Sequence, residues 1–182
     1  MTQEKQTAIN EIEKKKDLIR ETADHIWSHP ELSLQEDQSA AYYCDILEKE
    51  GFQVERGICG IRTAFAASFG QGSPRIGILA EYGALSGLSQ EAGSLEQKEI
   101  VPGGCGHGCG HNLLGAGAFG AVLGVKAYLE ETGREGTVIL FGCPGEEGGA
   151  AKAFMARDGL WKSLDAALTW HPEDVNEVRT GS

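Results

Sequence analysis

Residues 112–143, NLLGAGAFGAVLGVKAYLEETGREGTVILFGC, decide the fold class of this 182-residue chain. Apolar residues and four glycines dominate the first twenty positions, which predicts a helix from Asn112 to about Glu131. A glycine inside a helix costs about 0.5 to 1 kcal/mol relative to alanine. We therefore expect close packing of this helix against a sheet. The following run, GTVILFGC, predicts a strand buried on both faces.

Similar patterns flank this stretch on both sides. The apolar residues between Ile9 and Ile26 recur at helical spacing, which predicts one long helix that ends before Pro30. A second helix is predicted from about Glu36 to Glu50, with Gly51 as its C-terminal stop. The runs FQVE, TAFAASF and RIGILAEY predict strands, the last with a buried section over residues 76–80. After the quoted stretch, GGAAKAFMARDGL predicts a helix and LDAALTW a third buried strand.

The order strand, helix, strand, helix, strand predicts right-handed crossovers and a largely parallel sheet. The fold class is therefore α/β, with three layers in which helices flank a largely parallel or mixed sheet. Functional sites in such sheets lie outside the carboxyl ends of the strands. This rule directs the search for chemistry to the residues that follow each predicted strand.

Composition narrows the function classes. The chain has 16 basic and 27 acidic residues, a formal net charge of -11 that would repel nucleic acid. The N-terminus is polar, and no run reaches the roughly 18 apolar residues of a membrane span, so we predict a soluble, cytoplasmic protein without a membrane or nucleic-acid partner. Five cysteines, an odd number, argue against a disulfide framework.

Three groups of polar side chains lie near the carboxyl ends of the predicted strands. Cys109 and His111 precede the central helix, Glu146 and Glu147 follow the strand after it, and His171 follows the last strand. Thiolate, imidazole and carboxylate are ligand types that Zn²⁺ and similar ions select. One glutamate could bind metal while its neighbour acts as general base.

Other interpretations of the same residues stay open at this point. Cys105 and Cys109 could form a disulfide or a thiol redox pair, although the C-x-x-x-C spacing departs from the usual C-x-x-C. Cys109 could also be a nucleophile with a histidine partner. A pair of glutamates is common in solvated loops, and a histidine before a proline is common in turns.

The segments GLSQEAG, GHGCGHNLLG, GCPGEEGG and DAALTWHPE resemble, in the same order, those of the dinuclear metallo-amidohydrolases. This family includes aminoacylases, carboxypeptidase G and indole-acetyl-amino-acid hydrolases, and within it the segments are most similar to p-aminobenzoyl-glutamate hydrolases. The resemblance implies a zinc-peptidase-like catalytic domain, of which residues 1–182 would be the N-terminal part. The dimerisation domain and the C-terminal catalytic part would be absent.

The resemblance also implies roles for individual residues. Cys109, His111, Glu147 and His171 would bind one or two Zn²⁺ or Mn²⁺ ions, and Glu146 would be the general base toward a water between them. The reaction would cleave the amide of an N-acyl amino acid, with p-aminobenzoyl-glutamate giving p-aminobenzoate and glutamate. A homologous A-type subunit or a second copy of the chain would be the protein partner.

One departure from the family pattern concerns the sequence EYGAL. Gly83 stands where the family has a carboxylate that supports the metal shell. Glu81 could substitute, but we expect its side chain to point to the opposite face if the strand continues. Glu81 and His107 are therefore predicted only as supporting residues. The same departure motivates an alternative function, a catalytically inactive metal-binding or assembly fragment of such an enzyme.

Overall fold

The computed structural model describes residues 2–175, which form five α-helices and one five-stranded sheet. The helices are α1 (Gln3–Lys14), α2 (Lys16–Ser28), α3 (Asp37–Lys49), α4 (His111–Thr132) and α5 (Ala151–Arg157). The strands are β1 (Gln53–Arg56), β2 (Phe65–Gln71), β3 (Arg75–Ala80), β4 (Gly136–Gly142) and β5 (Ala166–Leu168). Two short 3₁₀ helices, Ile58–Gly60 and Leu160–Ser163, complete the described elements.

The predicted three-layer α/β fold is confirmed, with a mixed sheet of order β1-β2-β4-β3-β5. β1 and β2 run antiparallel to their neighbours, whereas β3 is parallel to both β4 and β5. The larger core joins α2, α3 and α4 to one face of the sheet. A smaller core on the opposite face includes Phe141, Met155 and Trp161.

The glycines of α4 permit close packing, as predicted, but the contacts are mostly with helices and side chains. A Cβ atom on Gly115 would lie 2.4 Å from Tyr43 Oη, and one on Gly124 would lie 3.1 Å from the carbonyl oxygen of Ala8. By length and composition alone α4 could cross a membrane, but 61% of its apolar window is buried inside the fold. We interpret α4 as the core helix of the domain.

The prediction of one long N-terminal helix is wrong, because the chain leaves helical geometry at Lys15 (φ -95°, ψ 6°) and forms α1 and α2. The two helices pack on different parts of α4. Ala8 of α1 contacts the backbone beside Gly124, and Ile19 of α2 lies against Gly120. The apolar period continues through the break, so it cannot reveal the change of direction.

The prediction of a buried final strand is also wrong. Among the described residues β5 lies at the edge of the sheet, where it pairs with β3 alone, and all three of its residues are exposed. β4 is the central strand, and all seven of its residues are buried. Apolar runs of similar composition therefore occupy very different positions in this sheet.

The parallel strands bring three chain segments together at the carboxyl ends of the strands. β3, β4 and β5 point in the same direction, so the residues that follow Ala80, Gly142 and Leu168 lie near one another. α4 begins at His111 beside them, at the end of the glycine-rich loop. The candidate residues thus come together at the carboxyl ends of the parallel strands, where the rule directs the search.

Candidate metal centre

His111, the first residue of α4, lies at the middle of the site. Its side chain is only 1% exposed, and its Nδ1 lies 2.9 Å from the carbonyl oxygen of Gly83. A carbonyl oxygen can only accept a hydrogen bond, so Nδ1 is the donor. In the neutral ring Nε2 then carries the lone pair, which is the arrangement expected of a metal-ligating histidine.

Three carboxylates surround His111 Nε2. It lies 3.0 Å from Glu81 Oε2, 3.7 Å from Glu146 Oε2 and 3.8 Å from Glu147 Oε1. None of these contacts has hydrogen-bond geometry, so Nε2 is a buried polar atom without a hydrogen-bond partner in the part of the chain that the structure describes. A lone pair that faces carboxylates is electrostatically unfavourable, and a positive charge between them would compensate. The ring nitrogen and the carboxylate oxygens are therefore suitable ligand atoms for a divalent cation.

The second part of the site contains Cys109 and His171. Cys109 Sγ lies 3.2 Å from His171 Nε2, and the rings of His111 and His171 meet edge to face at 5.9 Å. Burial raises the pKa of the Cys109 thiol to about 12, assisted by a hydrogen bond to Glu147 and by neighbouring negative charges. A metal that binds Cys109 must therefore displace a proton.

Two overlapping sets of potential ligands result. The first comprises Cys109, His111 and His171, the second Glu81, His111 and Glu146, and within each set the ligand atoms lie within 4.8 Å of one another. His111 belongs to both sets. Glu147, predicted as a ligand, lies beside His111 and Cys109 but in neither compact set.

Glu81 differs from the expectation that it points away from the site. β3 ends at Ala80, so strand alternation no longer applies, and the Glu81 side chain turns inward and is buried. Lys152 forms an ion pair with its other carboxylate oxygen. No local pattern indicates Lys152, because this residue lies in an ordinary amphipathic segment and reaches Glu81 only through the tertiary fold.

His107 and Cys105 lie outside both ligand sets. His107 Nε2 lies 2.9 Å from the carbonyl oxygen of Ile26, and burial lowers the pKa of His107 to about 4. Both residues line a cavity of about 520 Å³ beside Trp27. All five cysteines are free, and Cys105 donates to the carbonyl oxygen of Pro30 instead of pairing with Cys109.

Trp170 connects His171 to α4. Its indole Nε1 donates to the carbonyl oxygen of Leu114 at 3.0 Å, and its ring packs against Gly117, where a Cβ atom would lie 2.6 Å away. The segment after β5 is exposed, yet this contact fixes it to the helix that begins at His111.

Residues 88–180, slightly more than half of the chain, match the profile of the Peptidase family M20/M25/M40. The chain belongs to this peptidase family. The matched range contains the glycine-rich loop, α4 and the glutamate pair, together with His171. It excludes Glu81, which the fold adds to the site from the end of β3.

The relatives show how much of a family member this chain represents. It is 52% identical over 162 residues to one of the subunits of p-aminobenzoyl-glutamate hydrolase from Escherichia coli, a match that covers 89% of this chain and 34% of that protein. It is 28% identical to Xaa-Arg dipeptidase of Mus musculus, covering 94% of this chain and 39% of the relative. The chain thus spans between a third and two fifths of the length of these relatives.

A solved structure supports the fold assignment. A dinuclear metal-binding peptidase of the M20 family from Bacillus subtilis superposes with a TM-score of 0.69 at 24% identity. The superposition covers 86% of this chain and 43% of that protein. The described residues therefore share the fold of part of that peptidase.

Proposed function

We propose that this chain is the N-terminal catalytic part of a metal-dependent amidohydrolase that cleaves N-acyl amino acids. The proposed substrate is p-aminobenzoyl-glutamate, which the reaction splits into p-aminobenzoate and glutamate. The observation that carries the proposal is the buried Nε2 of His111, which faces three carboxylates without a hydrogen-bond partner. The 52% identity to a subunit of p-aminobenzoyl-glutamate hydrolase supports the substrate.

Cys109, His111, Glu147 and His171 are the proposed metal ligands, and the inward position of Glu81 adds it to them. Bound Zn²⁺ or Mn²⁺ would polarise the amide carbonyl and lower the pKa of a coordinated water. The backbone carbonyl of Gly83 fixes the tautomer and orientation of the His111 ring, a role often played by outer-shell partners.

Glu146 is the proposed general base. Its side chain is 42% exposed, whereas that of Glu81 is 7% exposed. A carboxylate in this position can reach both the candidate ligands and solvent, so it can accept a proton from water and return it to the leaving amine. The buried carboxylate of Glu81 is already paired with Lys152 and is less suited to proton transfer.

An assembly role is the second candidate, and the exposed edge strand β5 favours it. An unpaired edge presents backbone donors and acceptors that another chain can cover. A homologous A-type subunit or a second copy of this chain is the proposed partner, since the Escherichia coli relative is itself one subunit of its enzyme. A cytoplasmic location is also proposed, since the odd number of cysteines argues against a disulfide framework.

Glutamate release from p-aminobenzoyl-glutamate tests the main proposal, with the chain assayed alone and together with a homologous A-type subunit in Zn²⁺ or Mn²⁺. We expect metal-dependent release that Glu146→Gln lowers by about 100-fold or more, the scale of general acid-base catalysis. Glu131→Gln, at an exposed position on α4, is the matched control and should leave the rate unchanged.

Hydrolysis that Glu146→Gln leaves intact would contradict the assigned mechanism. Bound metal and partner binding without any hydrolysis would favour the assembly role instead. Elemental analysis of the purified chain, with Cys109→Ala for comparison, separates a chain that holds metal from one that does not.

A further inference from the structure

The loop formed by residues 144–150 carries Glu146 and Glu147, and its position decides where both carboxylates lie. We propose that Glu36 is a positioning residue that holds this loop in register with His111. The expected effect of Glu36 on metal binding rests on the proposed function, whereas its contacts with the loop do not. Glu36 itself belongs to neither set of candidate ligands.

Glu36 contacts the loop directly. Its side chain is fully buried, and its Oε1 accepts a hydrogen bond of 2.7 Å from the backbone N–H of Gly145. Its Oε2 accepts a second hydrogen bond, of 3.3 Å, from Thr63 Oγ1. Hydrogen bonds to a carboxylate are stronger than those between neutral groups. Glu36 therefore ties the loop to the start of α3 and to the segment before β2.

The loop also closes on itself and packs against Leu34. The carbonyl oxygen of Gly145 accepts hydrogen bonds from the backbone N–H groups of Gly149 (2.7 Å) and Ala150 (2.6 Å). A Cβ atom on Gly145 or on Gly149 would lie 2.8 Å from a methyl carbon of Leu34. Leu34 has a φ of 63°, a conformation that side-chain-bearing residues rarely adopt. The cost of that backbone is consistent with a segment shaped to receive the loop.

Glu36 also lies against the backbone that orients His111. A Cβ atom on Gly83 would lie 3.0 Å from Glu36 Oε1, and the carbonyl oxygen of Gly83 binds His111 Nδ1. One buried carboxylate thus contacts two backbone segments, of which one presents Glu146 and Glu147 and the other holds His111. Removal of this carboxylate should loosen the relation between them.

Amide hydrogen exchange of the metal-free chain tests the positioning role. In Glu36→Ala the N–H of Gly145 loses its acceptor, so we expect the amides of Gly145, Gly149 and Ala150 to exchange at least about 10-fold faster. Glu36→Gln keeps an oxygen that can accept from Gly145 and should restore slow exchange. Thr63→Val removes the other hydrogen bond and serves as the control, with little change in the loop.

Unchanged exchange of these three amides in a folded Glu36→Ala chain would overturn the inference. If that variant does not fold, Glu36→Asp provides the second test. It keeps the charge but shortens the side chain by one methylene, which draws the carboxylate away from the N–H of Gly145. We expect faster exchange of the same amides, and no change would again overturn the proposal.

Zn²⁺ affinity, measured by competition with a chelator, tests the consequence for the site. Loss of an outer-shell contact typically lowers metal affinity by about 10- to 100-fold, and we expect a loss of this size in Glu36→Ala but not in Glu36→Gln. A wild-type chain that binds no Zn²⁺ would refute the proposed metal centre, while hydrogen exchange would still decide the role of Glu36. Equal affinity in wild type and Glu36→Ala would refute the link between the loop and the metal.

Discussion

The glycine-rich loop contains two CGH triplets, residues 105–107 and 109–111, whose histidines share most of their environment and differ in one respect. Both His107 and His111 are buried, and each has one ring nitrogen 2.9 Å from a backbone carbonyl oxygen. The other nitrogen of each ring has no hydrogen-bond partner within residues 2–175. That nitrogen in His111 faces three carboxylates, whereas His107 lies beside Trp27 and an apolar cavity. The surrounding charge, and not the triplet itself, distinguishes the candidate ligand.

The sharpest test of this difference exchanges each histidine for glutamine. A structural Zn²⁺ site of about four ligands binds with about 10 to 16 kcal/mol, so one ligand contributes about 2.5 to 4 kcal/mol. We expect His111→Gln to weaken Zn²⁺ binding by about 70-fold or more on this scale, because His111 belongs to both ligand sets. His107→Gln should change it by less than about threefold on the same scale. Chelator competition measures both affinities, and a similar loss in both variants would erase the distinction.

The second test uses pH and should reveal His107 instead. Burial lowers the pKa of His107 from 6.5 to about 4, so between these values the unfolded chain binds a proton that the folded chain does not. Stability from this group is present above pH 6.5 and is lost as pH falls toward 4, by up to about 3 kcal/mol. Urea unfolding between pH 7 and pH 4 should show this loss in the wild type. His107→Gln should lack this part of the loss, and parallel pH profiles would contradict the interpretation.

The cysteines of the two triplets should differ less than the histidines in their effect on Zn²⁺ binding. Cys109 lies 3.2 Å from His171 Nε2, whereas Cys105 donates to Pro30. At neutral pH a metal must displace a proton from Cys109, whose pKa is raised to about 12 by burial, so its net contribution to binding is reduced. Because proton release offsets part of the metal–sulfur bond, we expect Cys109→Ser to weaken Zn²⁺ binding less than His111→Gln does, on the order of 10-fold, and Cys105→Ser to leave it unchanged. Loss of thiolate charge-transfer absorption from bound Co²⁺ in Cys109→Ser alone would identify the ligand, and its persistence would exclude it.

Local patterns predicted much of this fold because they reflect local physics. The predicted bounds of α3 and α4 agree with the structure to within about a residue, since apolar spacing and glycine stops act over a few positions. The break at Lys15 falls within a continuous apolar period, and the exposure of β5 depends on strand order. Neither property is encoded in the period of the segment itself.

The candidate site divides in the same way. Its residues could be predicted because parallel strands place their carboxyl ends at a common edge. The inward position of the Glu81 side chain could not be predicted, because the alternation of side chains along a strand applies only as far as Ala80, where β3 ends. Glu36 and Lys152 also escaped prediction, since each reaches the site from a distant segment through tertiary contacts. Their amino-acid types alone suggest only an ordinary helix start and a surface lysine.

Trp170 attaches the segment that carries His171 to the helix that begins at His111. Its indole contacts Leu114 and Gly117, about one and two helical turns from the start of α4. The helix therefore sets the distance between His111 and His171. The part of the β4–β5 crossover that follows Lys152 can then vary in length or sequence without shifting one histidine relative to the other. Variation of that part and preservation of the histidine pair are thereby mechanically independent.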